Sequence, residues 1–97
     1  MLTGKQKRFL RKQAHHVNAL FQIGKHGVTP NLLNQLEDLL EKRELIKVHI
    51  LQNCLEDKVE IANQIAEELQ AEIVQIIGNQ LIFYKQSVEY QEIVLPE

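Results

Sequence analysis

The sequence predicts a single α/β domain with the element order αβαβαββ, a mixed four-stranded sheet under helical cover. Three observations carry this. Leu32, Leu33, Leu36, Leu39 and Leu40 recur at the spacing of one helix face. They lie between two short segments of strand character, and strand, helix, strand implies a right-handed crossover joining parallel strands. Further on, two apolar runs are separated by Gly78-Asn79-Gln80, and Gly-Asn is a hairpin signal. A chain of 97 residues has room for one core and none for a separate lid or cofactor domain.

Thr3 is placed to cap a first helix, with Gln6 completing a capping box and Leu2 acting as a hydrophobic staple. The helix is expected to run to about His16 or Val17. Leu10, Ala14 and Val17 share one arc of it with Phe9 at the edge, while Lys5, Lys7, Arg8, Arg11, Lys12 and His15 sweep the opposite half. Ala19 to Ile23 reads as a short buried strand ended by Gly24. Thr29 followed by Pro30 is an N-cap with proline at the first helical position, and it opens the leucine helix. From Leu45 to Leu51, the alternation of Ile46, Val48 and Ile50 with Lys47 and His49 is that of a half-buried strand. Asp57 is placed to cap a third helix that turns Val59, Ile61, Ala62, Ile65, Ala66 and Leu69 inward and leaves Glu60, Glu67 and Glu68 in solvent. Ile73 to Ile77 and Leu81 to Tyr84 are the last two strands. Residues 1–86 then form the domain and 87–97 a C-terminal tail, whose Val88, Tyr90, Ile93, Val94 and Leu95 are candidates for docking.

An apolar fraction of 44% and a charged fraction of 25% match an ordinary soluble domain. No apolar run is long enough to span a membrane, and no apolar stretch of the secretory kind follows the N-terminal lysines, so the expected compartment is the cytoplasm. Cys54 is the single cysteine; it excludes an intramolecular disulfide and reads as a buried or half-buried spectator. His15 and His16, adjacent on a helix, diverge too far to share a metal ion. No Ser/His/Asp or paired-carboxylate pattern can be assembled, so the chain is expected to be neither an enzyme nor dependent on a cofactor, metal or small-molecule substrate. His26 and His49 are the residues an enzyme would have to use. Phe21, Phe83 and Tyr84 sit at strand positions, where aromatics are more often core than a stacking platform.

The net charge of −2 conceals a sharp asymmetry. No acid precedes Glu37, and Lys5, Lys7, Arg8, Arg11, Lys12 and Lys25 give that stretch +6; from Glu37 onward 13 acids against 5 bases give −8. A polyanion responds to such local potential rather than to the sum. A charged helix stripe is usually a solvated face, but such faces mix signs, and this one has no acid to pair with. A membrane-surface helix is disfavoured because the apolar side lacks Trp and is needed for the core.

Gly24-Lys25-His26-Gly27 follows a strand and precedes a helix N-terminus, where open α/β folds place anion sites. Glycines there let a phosphate approach the backbone, while Lys25 adds a permanent charge and His26 a pH-dependent one. The plainer alternative is a tight turn that needs two glycines. The Walker and dinucleotide-binding spacings are absent, which favours a polymeric sugar-phosphate backbone over a nucleotide. The ligand so implied is a polyanion with a sugar-phosphate backbone, and its candidate contacts are Gly24, Lys25, His26, Gly27 and the basic helix residues Lys5, Lys7, Arg8, Arg11 and Lys12. The rival is a protein-binding adaptor that docks through the acidic second half.

The opening Leu2-Thr3-Gly4-Lys5-Gln6-Lys7-Arg8, the segment from Gln22 to Thr29 around the glycine loop, Glu44-Leu45-Ile46-Lys47-Val48 and Val74-Gln75-Ile76-Ile77-Gly78 occur in an order that resembles the CRM domain. This is the chloroplast RNA splicing and ribosome maturation family, and a stand-alone domain of this size looks like its bacterial YhbY-type members. The resemblance covers residues 2 to about 85; the tail after Lys85 has no counterpart. It implies a fold similar to the C-terminal domain of translation initiation factor three. It also implies that Gly24, Lys25, His26, Gly27 and the basic face of the first helix contact RNA. Other side chains occupy position 26 in the family, so His26 is not required as a specific contact. Association of the bacterial members with large-subunit precursors implies a role in ribosome assembly through ribosomal RNA. A monomer is expected.

Overall fold

The structure, a computed structural model, describes residues 2–97. Its elements follow the expected order: α1 (Gly4–Ala14), β1 (Ala19–Ile23), α2 (Pro30–Arg43), β2 (Leu45–Ile50), α3 (Lys58–Leu69), β3 (Glu72–Ile77) and β4 (Gln80–Tyr84). All three helix starts use the side chains read from the sequence. Thr3 and Gln6 form the reciprocal capping box, the Thr29 hydroxyl accepts from the Leu32 N–H, and the Asp57 carboxylate accepts from the N–H groups of Val59 and Glu60. Each cap satisfies donors that a helix N-terminus otherwise leaves open. The first helix ends before the expected His16 or Val17. Past Ala14 the N–H groups of His15, His16 and Val17 bond to carbonyls three residues back, tightening the chain into a turn before β1.

The strands lie in the order β1-β2-β4-β3, with β1 parallel to β2 and the other pairs antiparallel. In β4, Leu81, Ile82, Phe83 and Tyr84 are all buried, which identifies a central strand covered on both faces. Leu81 and Phe83 join Ile46, Val48 and Ile50 against Leu36 and Leu40 of α2 and Ile61, Ile65 and Leu69 of α3. Ile82 and Tyr84 join Leu45 and Val74 against Leu10 and Ala14 of α1 on the opposite face. Phe83 and Tyr84 are therefore core, and Phe21 is half-buried against it. Val59 is the exception on α3: expected inward, it is 46% exposed. It lies at the edge of the buried stripe, about 100° round the helix from its centre, in the first turn of α3.

Residues 87–97 fold back onto the α1 side of the sheet. Ile93 and Leu95 pack against the second core, while Val88, Tyr90 and Val94 stay exposed. The segment is held by two carboxylates of the α2 end. Glu44, 1% exposed, accepts from the N–H groups of Ser87, Glu92 and Ile93 at 2.8–2.9 Å. Glu41 accepts from the N–H groups of Val88 and Glu89 and from the Ser87 hydroxyl. Burial opposes ionisation of Glu44, but the three N–H donors outweigh it and hold the carboxyl below the usual range. Glu41 is lowered by the N–H groups of Val88 and Glu89 and by Ser87. The Tyr84 phenol is pushed up by burial and by the charge of Glu44. At the far end of the segment, the Gln6 amide donates to the Pro96 carbonyl at 3.1 Å.

Candidate nucleic-acid interface

The Gly24 carbonyl accepts the Gly27 N–H at 3.0 Å, closing a four-residue turn between β1 and α2. Lys25 and His26 occupy its two corners and both are exposed. Gly27 has φ +62°, a backbone state that L side chains rarely adopt. The turn therefore displays a lysine and a histidine next to one another on a hydrogen-bonded backbone. Both side chains stand in the turn that directly follows β1.

The bare glycines serve the protein's own packing. A Cβ at Gly24 would stand 3.3 Å from the Asn53 side-chain oxygen, and one at Gly27 would collide with the carboxylate of Glu56. Both neighbours come from the β2–α3 connection. Because β1 and β2 are parallel, the loops at their C-terminal ends lie side by side, and Leu51 donates its N–H to the Ile23 carbonyl where they meet. The Gly27 N–H is used inside the turn, so the side chains of Lys25 and His26, more than an open backbone, are what the turn offers an anion. Glu56 also places a negative charge beside a segment that carries none of its own.

On α1, Lys5, Arg8 and Lys12 are exposed, as are His15 and His16, while Lys7 and Arg11 are half-buried along the flank of the face that carries Leu10 and Ala14. Long cationic side chains cover apolar surface in this way while keeping their charge in water. The helix packs across β2 and β3. Its C-terminal turn leads into the start of β1, whereas the glycine turn follows the end of that strand, about 17 Å away at the usual rise per residue. The C-terminal end of α1 and the glycine turn are thus set at opposite ends of β1.

A cleft of about 550 Å³ lies at the α1 end of β1, lined by His16, Lys42, Arg43 and Lys47 with Glu92 and Ile93 of the folded-back segment. It does not include the glycine turn. Among the described residues no group of three or more His, Cys, Asp or Glu side chains is placed to hold a metal, and no helix is long and apolar enough to cross a membrane.

The family model described as the CRS1 / YhbY (CRM) domain matches residues 2–85, spanning every element from α1 to β4. The chain belongs to the CRM domain family. It is 52% identical over 96 residues to the Probable RNA-binding protein YqeI of Bacillus subtilis, covering 99% of this chain and 100% of that protein. An RNA-binding protein of Haemophilus influenzae is 41% identical over 88 residues, 91% of this chain and 89% of the relative. The solution structure of a hypothetical protein from Staphylococcus aureus superposes with a TM-score of 0.83 at 52% identity, covering 99% of this chain and 100% of the other. The fold of this CRM domain is therefore the small α/β unit expected. The family match ends at Lys85, yet the next buried residue, Ser87, is already hydrogen-bonded to Glu41 and Glu44.

Asn53 and Glu56 escaped the reading of the sequence because they lie far along the chain from Gly24 and Gly27. The available signal was topological. Once β1 and β2 are taken as parallel neighbours, the segment after β2 must stand beside the segment after β1.

Proposed function

We propose that this CRM domain is a ribosome-assembly factor that binds ribosomal RNA in large-subunit precursors and carries out no reaction of its own. The observation that carries the reading is the closed Gly24–Gly27 turn, which sets the Lys25 cation and the His26 imidazole side by side and exposed. The exposed Lys5, Arg8 and Lys12, with Lys7 and Arg11 at their flank, extend the positive surface. Phosphate contacts from these groups position the protein, and the shape of the folded RNA supplies most of the selectivity. The RNA-binding names of the relatives support the ligand class, and the resemblance to YhbY-type members supports the ribosomal precursor. In this reading residues 1–86 bind the RNA, residues 87–97 brace the domain, and the protein acts as a cytoplasmic monomer without a cofactor.

Titration of transcribed large-subunit ribosomal RNA over a salt series tests it. Affinity should fall steeply with salt, and Lys25→Gln should flatten the log–log slope by about 0.7–0.9, the release expected for one phosphate. Binding independent of salt would favour an adaptor docking through the acidic face of Glu60, Glu67 and Glu68. Crosslinking in cells followed by sequencing identifies the RNA, and reads concentrated outside large-subunit precursors would refute the assembly role.

A further inference from the structure

Leu55 is 93% exposed, the most exposed of the large apolar side chains described, and its position is not accidental. It lies in the β2–α3 connection between Asn53, whose side chain abuts Gly24, and Glu56, whose carboxylate abuts Gly27. The connection is itself ordered around it. The Cys54 N–H bonds to the Leu51 carbonyl at 3.1 Å, the half-buried Cys54 packs on the main core, and Asp57 caps α3. With Cys54 turned in and Asp57 fixed at the helix start, the intervening Leu55 is held out into solvent. An isolated exposed leucine needs no explanation on most surfaces. This one stands within two residues of both contacts to the cationic turn.

We propose that Leu55 is an apolar base contact of the RNA site, resting against an unstacked base while Lys25 and His26 hold the adjoining phosphates. This rests on the phosphate reading of the turn and adds a second kind of recognition to it. Exposed apolar side chains that insert at or beside bases are a recurrent device, because every base offers a face that prefers not to meet water. The charges fit this division. Glu56, on the Leu55 side of the turn, repels phosphate from that side, and so favours an orientation with the backbone at Lys25 and His26 and the base over Leu55.

The experiment compares wild type, Leu55→Ser, Leu55→Trp and Lys25→Gln on the same transcribed large-subunit ribosomal RNA over a salt series. Partial burial of a leucine side chain corresponds to a loss on the order of five-fold in affinity for Leu55→Ser, with the salt slope unchanged because no counterion is involved. Leu55→Trp should bind more tightly, a gain that misfolding cannot produce. The chain has no tryptophan of its own, so emission from the introduced ring reports directly and should be quenched when RNA is added. Unchanged affinity for Leu55→Ser, or tryptophan emission unmoved at saturating RNA, overturns the base contact. A flattened slope for Leu55→Ser overturns it too, since the effect would then be electrostatic. If Lys25→Gln leaves the slope intact while both Leu55 variants behave as expected, the base contact stands and the phosphate reading of the turn fails.

Discussion

Glu44 offers the most quantitative test of how this domain is held together. It is all but fully buried, it adopts φ +65° without being glycine, and its carboxylate accepts three backbone N–H groups from the folded-back segment. Hydrogen bonds to a charged group are worth about 1.5–3 kcal/mol each, but their sum is not what Glu44→Ala would cost. Once the carboxylate is gone the segment can release and its N–H groups return to water, so the loss is capped by the docking free energy of residues 87–97. That free energy also includes the burial of Ile93 and Leu95, less the cost of ordering the chain. We expect a loss of roughly 2–4 kcal/mol for Glu44→Ala, somewhat under the about 3–5 kcal/mol lost when a buried charge is left without its partner, because here the segment can release. Glu44→Gly should be less damaging by about 1 kcal/mol, because it relieves the positive φ that alanine retains. Glu44→Gln should fall between wild type and alanine. The pH dependence has a definite sign. A carboxyl whose folded pKa is depressed contributes fully above the ordinary glutamate range and loses that contribution as pH falls through the folded value. Wild type should therefore lose the docked segment only in acid, and Glu44→Gln should lack that component of the acid transition. Urea melts give the free energies, and amide exchange at Ser87, Glu92 and Ile93 reads the docking. Exchange at Glu92 and Ile93 in Glu44→Ala as slow as in wild type would refute the account.

Other expectations follow from the same contacts. Glu56→Gln should tighten RNA binding. Two like charges about 5 Å apart repel by about 0.8 kcal/mol at the dielectric of water, which corresponds to about four-fold, and the gain should shrink with added salt; unchanged affinity in titration would mean that phosphate does not approach this side. Gly27→Ala should cost at least about 1–2 kcal/mol in thermal or urea melts, from its positive φ and its collision with Glu56. Gly4→Ala should instead raise stability by about 0.5–1 kcal/mol, since it lies in helix α1 with nothing near its Cβ position. Removing everything after Lys85 should expose Leu10 and Tyr84 and lower the melting temperature, although the family match would remain whole.

The elements were legible because their signals are local. Thr3 with Gln6, Thr29 with Pro30, and Asp57 each mark a helix start through a bond made within three residues. Strand order was not legible, since a hairpin can attach by either of its strands. The clue was present in Leu81–Tyr84, a continuous apolar run that only a strand buried on both faces would need. The turn at Gly24–Gly27 was found from its glycines and charges, while the cause of those glycines lay some 30 residues away in Asn53 and Glu56. Glu41 and Glu44 resembled ordinary acids of an acidic half. Their role depends on where residues 87–97 return, and short-range periodicity cannot encode that.

The bond from Gln6 to Pro96 closes the chain on itself near its two ends. The helix that bears the basic face and the segment that bears none of it pack into one cluster with Ile82 and Tyr84, and are expected to open as one unit. Opening either should expose amides of both, and α1 should exchange in step with residues 92–96 rather than with α2 and α3. In a screen for loss of RNA binding, substitutions at Ile93 or Leu95 would then score alongside those at Arg8 or Lys12 without ever meeting a phosphate. Measuring exchange in α1 separates the two classes: a residue that touches the ligand leaves the unbound helix as protected as before, whereas one that anchors it does not.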